Sequence, residues 1–284
     1  MIVKELKEKG YKLKYLLLAM DIPKSTYYFE IKKVDRVKIR NNHLVDKIIE
    51  IFNHHKGRYG VRRVYRQLLN QGYKINHKRV QRIMHELKLF GKRPKEKYHS
   101  YKGKVGKIAD NIIDRDFKAD KPLQKWSTDV SEFKFPWGKC YISSILDMYS
   151  NEIISYDLSL SPNLVQISNM LNKAIKKFPK LENLILHSDQ GWQYQHKLYV
   201  NTLKDCKIKQ SMSRKGNCYD NSIMETFFAR LKNEMYYGYE KIYRCFDEFA
   251  KAIDDYIYYY NNERIQSKTK WMPPTKYRLA STCK

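Results

Sequence analysis

Cysteine is scarce in this chain and never paired. The five cysteines, at 140, 206, 218, 245 and 283 of 284 residues, include no Cys-x-x-Cys, so neither a zinc ribbon nor a disulfide framework is indicated. His54-His55 has no cysteine pair after it and is expected at the surface or at a helix end. Long apolar runs are missing too. Tyr15 to Met20 is too short to cross a membrane and runs into Asp21, and no cleavable signal precedes it. A reducing, cytoplasmic compartment and no membrane role are the resulting expectations. Acid is short in the front part: residues 1–120 hold 31 Lys+Arg against 13 Asp+Glu, so +18 of the total +26 lies there. A merely soluble basic protein would satisfy these numbers. However, the 17 basic and 3 acidic residues of 51–110 are interleaved with tyrosines and aliphatics that can build a core, which suits a folded nucleic-acid-binding domain better.

The length allows two domains and a small third piece. Lys12 to Met20, a turn at Asp21-Ile22-Pro23-Lys24, and Ser25 to Phe29 with Ser25 as N-cap read as helix, turn, helix. This segment, 1–38, is either a small helix-turn-helix or a helical hairpin. Over 39–92 three helices follow. The first carries Leu44, Ile48, Ile49 and Phe52 and breaks at Gly57-Arg58-Tyr59-Gly60; the second carries Val61, Val64, Leu68 and Leu69 and ends at Asn70-Gln71-Gly72. The third is capped by Asn76, with Val80, Ile83, Met84 and Leu87 on one face and Lys78, Arg79 and Arg82 on another. A basic last helix suits a helix-turn-helix entering the major groove; a helical bundle with solvated cations competes with it. Residues 93–121, rich in Lys and poor in apolar periodicity, read as a basic linker.

Over 122–284 the pattern changes to strands. Trp126 to Phe135 alternates, Pro136-Trp137-Gly138 turns the chain, and Tyr141–Met148 and Ile153–Leu160 are two more β-rich runs. Pro162 opens an amphipathic helix through Leu164, Ile167, Met170, Leu171, Ala174 and Ile175, after which Leu184-Ile185-Leu186 is a short buried strand leading into His187-Ser188-Asp189. The result is a mixed α/β sheet. A C-terminal helix with Phe246, Phe249, Ile253, Tyr256, Ile257 and Tyr260 packs under it, and Arg264 and Lys268 beyond either touch DNA or close a solvated helix end.

On this layout Asp129 lies in the first strand and Asp189 at the end of the fourth, so pairing those strands brings two acids together. Clustered carboxylates invite a divalent cation on oxygen ligands. Asp129 alone would read as a strand-end or turn residue, and Asp147 and Asp157 are taken as structural. Glu225 has two readings. Ser222-x-x-Glu225 fits a capping box. Alternatively, Glu225 and Lys232 lie within about 20° of one direction and about 10.5 Å apart along a helix, beside the stripe Met224, Phe227, Phe228, Leu231 and Met235. Lys232 would then hold a phosphate of a strand reacting at Glu225, with Asp220 or Asn221 as the cap.

Asp129, Asp189 and Glu225, with Lys232 seven past the Glu, resemble the DDE triad of transposases and retroviral integrases. The His187-to-Tyr194 run, Gly216-Asn217-Cys218-Tyr219-Asp220-Asn221, and Tyr260-Asn261-Asn262-Glu263-Arg264-Ile265-Gln266 with Pro273-Pro274 are similar to OrfB-type transposases of the insertion-sequence-three family. So is Tyr59-Gly60-Val61-Arg62-Arg63 through Arg79-Val80-Gln81-Arg82-Ile83-Met84, which resembles that family's helix-turn-helix. The resemblance covers nearly the whole chain. It implies an α/β ribonuclease-H-like catalytic core, a mixed five-stranded sheet with flanking helices, preceded by an all-α helix-turn-helix region. It implies two Mg2+ (or Mn2+) ions on the three acids, and 3′-end nicking and strand transfer. Arg62, Arg63, Lys78, Arg79, Arg82 and Lys232 are the DNA-contact candidates. The implied partners are terminal inverted repeats and target DNA, further copies of the chain, and an upstream-frame partner or fusion, in a nucleoid-associated bacterial setting. Two competing functions are a non-catalytic DNA-binding regulator of the element ends and a nuclease acting on RNA–DNA hybrids.

Overall fold

In a computed structural model of the chain, residues 2–92, 108–214 and 218–282 are described. The chain divides into two compact units, 1–91 and 92–284.

The first unit is all helical: α1 (Ile2–Glu8), α2 (Leu13–Ala19), α3 (Lys24–His54), α4 (Val61–Asn70) and α5 (His77–Glu86). Val3, Leu17 and Tyr27 are buried together at its start, with Leu13, Leu16 and Ile22 against them. Asp21 takes the left-handed conformation between α2 and α3 (φ 51°). Pro23, not Ser25, occupies the N-cap position of α3, and no side chain bonds there; a proline at the entry already fixes a near-helical φ, so the helix starts one residue before Ser25 can cap it. α3 then runs 31 residues without interruption. The apolar pattern suggested a gap between Phe29 and Leu44, but that stretch contains no proline or glycine to stop a helix. The expected boundary between 38 and 39 therefore falls inside α3. The end of α3 closes with α4 and α5 around Leu44, Ile48, Ile51, Tyr59, Val64, Leu68, Val80, Ile83 and Met84. Asn76 caps α5, its Oδ1 accepting from the Lys78 amide at 2.9 Å. His55 sits at the C-cap of α3, buried and stacked on Tyr59 with centroids 3.6 Å apart.

The second unit runs β1 (Lys125–Phe135), β2 (Gly138–Asp147), β3 (Ile153–Ser159), α6 (Leu164–Lys177), β4 (Ile185–Ser188), α7 (Trp192–Gln195), α8 (Lys197–Asp205), β5 (Lys209–Met212), α9 (Ser222–Leu231), α10 (Phe246–Asn262) and α11 (Pro274–Thr282). The sheet order is β3-β2-β1-β4-β5. β1, β2 and β3 form an antiparallel meander, and β4 and β5 run parallel to β1. Alternation along β1 splits the core into two layers. Trp126 joins Ile167, Met170, Leu171, Tyr194 and Tyr199 on the α6–α8 face. Phe133 and Phe135 join Phe227, Phe228, Leu231, Phe249 and Ile253 on the α9–α10 face, so α10 packs under the sheet as its spacing required. α6 begins after Pro162, with Asn163 as the cap (Gln166 amide to Oδ1, 2.9 Å).

Two stretches differ from expectation. Of the supposed linker, 93–107 lies outside the described residues, while 108–116 lies along β5 as a strap: the Ile112 and Ile113 amides donate to Ser211 Oγ (3.0 and 3.3 Å), and the Met212 amide donates to the Asp110 carbonyl (3.2 Å). Arg264 neither faces DNA nor closes a solvated helix end. It is 1% exposed and pairs with Glu234, Nη2 to Oε1 at 2.6 Å, which also accepts from Tyr256 Oη (3.1 Å). A buried guanidinium is tolerated only against such a partner, and 30 residues of separation hide that partner from a sequence pattern. Lys268 Nζ donates to the Met148 carbonyl at 2.8 Å. In the same motif Asn261 binds edge strand β3, accepting from the Ile153 amide and donating to the Ile153 carbonyl, both at 2.9 Å. Asp147 caps the β2–β3 turn through Leu123 and Ser150 amides at 2.9 Å, and Asp157 pairs with Lys173 at 2.5 Å. Among the described residues no helix is long and apolar enough to cross a membrane.

Candidate active site

β1 and β4 are neighbours in the sheet, and their register sets the position of the first two acids. Ser127 is opposite His187; two residues further along parallel strands about 4.8 Å apart come Asp129 and Asp189. Both project to the α9 face, since Thr128 between Ser127 and Asp129 points the other way, its hydroxyl 3.3 Å from Tyr194 Oη. The Val130 amide donates to Asp129 Oδ1 at 2.8 Å. Asp189 leaves the end of β4 and turns back, its Oδ1 accepting from the Gly191 amide at 2.9 Å. A Cβ at 191 would lie 2.9 Å from that same oxygen and 3.1 Å from Gln193 Oε1, so a side chain there would push the Asp189 carboxylate aside.

Glu225 sits in the first turn of α9, partly exposed, between the buried Met224 and Phe227. The capping box is not formed. Ser222 is the first helical residue and Asn221 takes the N-cap position without a side-chain cap bond. The Asn221 amide is used instead on β1, accepting from Ser127 Oγ (2.8 Å) and donating to the Thr128 carbonyl (3.4 Å).

The charges of Asp189 and Glu225 reach Asp129. Burial, then the charges of Asp189 and Glu225, hold Asp129 well above the usual carboxylate range, against the Val130 amide and Lys232. Burial raises Asp189 against the Gly191 amide, and burial raises Glu225. The phenol of Tyr194 is pushed up by burial and by the charges of Asp129 and Asp189, which places it beside both. Lys232 is nearly buried, with Nζ 4.8 Å from the centroid of Phe133. Burial pulls its amine down to about 8, with Glu132 and Asp129 opposing. It opens a π-helical turn, Lys232–Tyr236, at the end of α9. Among the described residues no three His, Cys, Asp or Glu side chains stand close enough to form a finished metal cluster. The donor set nevertheless fits a hard cation: it is all oxygen, and the charges of two of its members raise the third.

The structure also shows a network that sequence reasoning missed. Ser211 Oγ accepts from two amides, which fills its lone pairs, so its proton goes to His187 Nδ1 (2.9 Å) and His187 Nε2–H donates to the Asp220 carbonyl (2.9 Å). The fully buried ring is thereby neutral, and burial lowers its pKa. The Asp220 carboxylate accepts five hydrogen bonds, from Asn111 Nδ2 (3.1 Å), Arg115 Nε (2.9 Å), and the Arg214 amide (3.0 Å), Nε (2.9 Å) and Nη2 (3.0 Å). Those guanidiniums hold it far below the usual carboxylate range. The string around Asp220 was conspicuous in the sequence, but nothing there pointed to Arg115.

The remaining candidates lie in the helical unit. Arg62 on α4 and Lys78 and Arg82 on α5 are exposed, Arg82 facing Glu86 at 3.8 Å; Arg63 and Arg79 are half-buried, with the Arg63 guanidinium 5.6 Å from the Tyr59 ring centroid.

Comparison with known proteins agrees with this layout. An integrase core domain model matches residues 119–218 and again 225–281, and an HTH-like domain model matches 40–97. The chain is 45% identical over 268 residues, 94% of each chain, to the putative transposase InsK for insertion sequence element IS150 of Escherichia coli K12. It is 54% identical over 213 residues to an uncharacterized transposase-like protein of Haemophilus influenzae, covering 75% of this chain and 97% of that one. Among solved structures, the HTLV-2 integrase catalytic core domain in complex with magnesium matches 57% of this chain and 99% of its own at TM-score 0.47 and 14% identity. The integrase core family is divalent-metal dependent. The chain belongs to the insertion-sequence transposases with an integrase core, of the OrfB type of the insertion-sequence-three family, and is a DDE-type DNA transposase.

Proposed function

We propose that Asp129, Asp189 and Glu225 are the catalytic acids, that they hold two Mg2+ or Mn2+ ions, and that the reaction is 3′-end nicking of the element followed by transfer of that end into DNA. The observation that carries this reading is that the charges of Asp189, from the end of β4, and Glu225, from α9, both act on the buried carboxyl of Asp129 on β1 and raise it. Bound there, such ions supply Lewis acidity to the attacking and leaving oxygens of an in-line displacement at phosphorus. The chain's own residues do the rest. The Val130 and Gly191 amides fix one oxygen each of Asp129 and Asp189, leaving their second oxygens available. Tyr194, buried in the α6–α8 layer against Thr128, feels both of their charges. Lys232, lowered by burial to about 8 and still protonated at neutral pH, offers its charge to a DNA phosphate and holds the strand in place.

Arg62, Arg63, Lys78, Arg79 and Arg82 contact element-end DNA through the helix-turn-helix, and residues 1–38 add a helical segment to it. Copies of the chain assemble to hold two terminal inverted repeats together with target DNA. Phosphate neutralisation releases counterions, so end binding falls steeply with salt. Strand transfer with a labelled element-end duplex tests the acids: Asp189→Asn and Glu225→Gln protein binds the end and transfers nothing measurable. Full activity in either variant would remove that residue from the site.

A further inference from the structure

We propose that Asp220 is a positioning residue for Glu225, and that the strap ahead of β1, through Asn111 and Arg115, belongs to the catalytic apparatus. The proposal rests on Glu225 being one of the reacting carboxylates. Two of the acids stand on or just after strands and are placed by the sheet. Glu225 stands on a helix that reaches the site from across a turn, Cys218–Asn221, so something else must fix where that helix begins.

That turn is tied to both aspartate-bearing strands. The Asp220 carbonyl accepts from His187 on β4, two residues before Asp189. Asn221 is held by Ser127 and the Thr128 carbonyl on β1, adjoining Asp129. The Asp220 carboxylate, 1% exposed, then gathers Arg214, just past β5, with Asn111 and Arg115 of the strap. Arg214 and Arg115 are each half exposed, and Arg214 is further held by Asp114 at 3.1 Å. Glu225 lies five residues past Asp220, within about one and a half turns, so a shift of the turn is passed to its carboxylate nearly undiminished. Displacements of about 1 Å cost reacting groups about 100-fold in rate.

The strap residues Asn111 and Arg115 precede the span matched by the integrase core model, which begins at 119. Their partner Asp220, about a hundred residues further on, lies between the two matched spans, 119–218 and 225–281.

The full-length chain carrying Asp220→Asn, Arg115→Gln or Glu225→Gln provides the test. Four quantities are read: the melting temperature, the Mn2+ concentration giving half of the metal-induced rise in melting temperature without DNA, the affinity for an element-end duplex, and the strand-transfer rate at saturating DNA. Asp220→Asn is expected to lower the saturated rate about 10- to 100-fold and raise the Mn2+ midpoint about tenfold, as for other groups that orient metal-holding side chains, with end affinity unchanged. Arg115→Gln leaves Arg214 and Asn111 in place, so it keeps the fold if Asp220→Asn does not. It is expected to show the same pattern at smaller size, partly restored by Arg115→Lys. The proposal is overturned if both folded variants keep the wild-type rate and Mn2+ midpoint while Glu225→Gln is inactive. An active Glu225→Gln would instead remove Glu225 from the chemistry, and the positioning role with it.

Discussion

Asp129 and Asp220 are the same side chain on the same side of one sheet, in opposite surroundings. Around Asp220 the protein supplies two guanidiniums, an amide side chain and a backbone amide, and the carboxylate is held far below its ordinary range. Around Asp129 it supplies one amide, two more acids and a single buried lysine, Lys232, and the carboxylate is held well above it. The first site is electrostatically complete; the second is not, which is what the proposed cation would remedy. A carboxylate that stabilises the fold and one proposed for chemistry are told apart by what the protein withholds.

Changing Asp129 should separate the two sites most sharply. A lost Lewis-acid contribution of several kcal/mol corresponds to about 10^3-fold or more in rate, so Asp129→Asn is expected to abolish measurable strand transfer. Because it also removes a repelled charge, metal-free Asp129→Asn is expected to melt no lower than wild type, and higher at pH 7. Asp220→Ala breaks the complete site. Losing one partner of a buried ion pair costs about 3–5 kcal/mol, and half-exposed arginines regain water, so about 2 kcal/mol by urea unfolding is expected, with m unchanged.

A smaller effect follows from pH. A carboxylate whose folded pKa is raised destabilises the fold once it is ionised, beginning as pH rises through its ordinary value near 3.8 and complete above its folded value. Metal-free wild type should therefore gain stability relative to Asp129→Asn on acidification from neutrality, and saturating Mn2+ should erase that gain. His187 works the other way, since its pKa is depressed and acid forces a charge onto a buried ring, but it cancels in the difference between the two proteins. Asp220, depressed, keeps its contribution across this window and loses it only below the ordinary carboxylate range. The smallest effect belongs to Ser222→Ala. With no cap bond to lose, it should change stability by less than about 0.5 kcal/mol; a cost of 1 kcal/mol or more would restore the capping box.

Much of this was legible because it is periodic or local. The alternation of Trp126 to Phe135 gave β1 and the place of Asp129, and the stripe Met224 to Leu231 gave α9 and the direction of Glu225. What could not be read depends on distant partners. β5 is the four residues Lys209–Met212, with no apolar run, and is a strand because it pairs with β4. Arg264 looks like a surface cation until Glu234 and Tyr256 are seen around it. The role of Asp220 depends on Arg115, and that of Asn221 on Ser127, each across roughly a hundred residues.

The two hydrogen bonds between Asn261 and the backbone of Ile153 have a consequence for how copies of the chain can meet. An outermost strand offers a row of unsatisfied amides and carbonyls to any second chain. On β3 the first rung of that row is already filled by a side chain from the end of α10. Joining two sheets edge to edge along β3 would require stripping that amide away and finding it new partners, so copies of the chain are steered toward other surfaces.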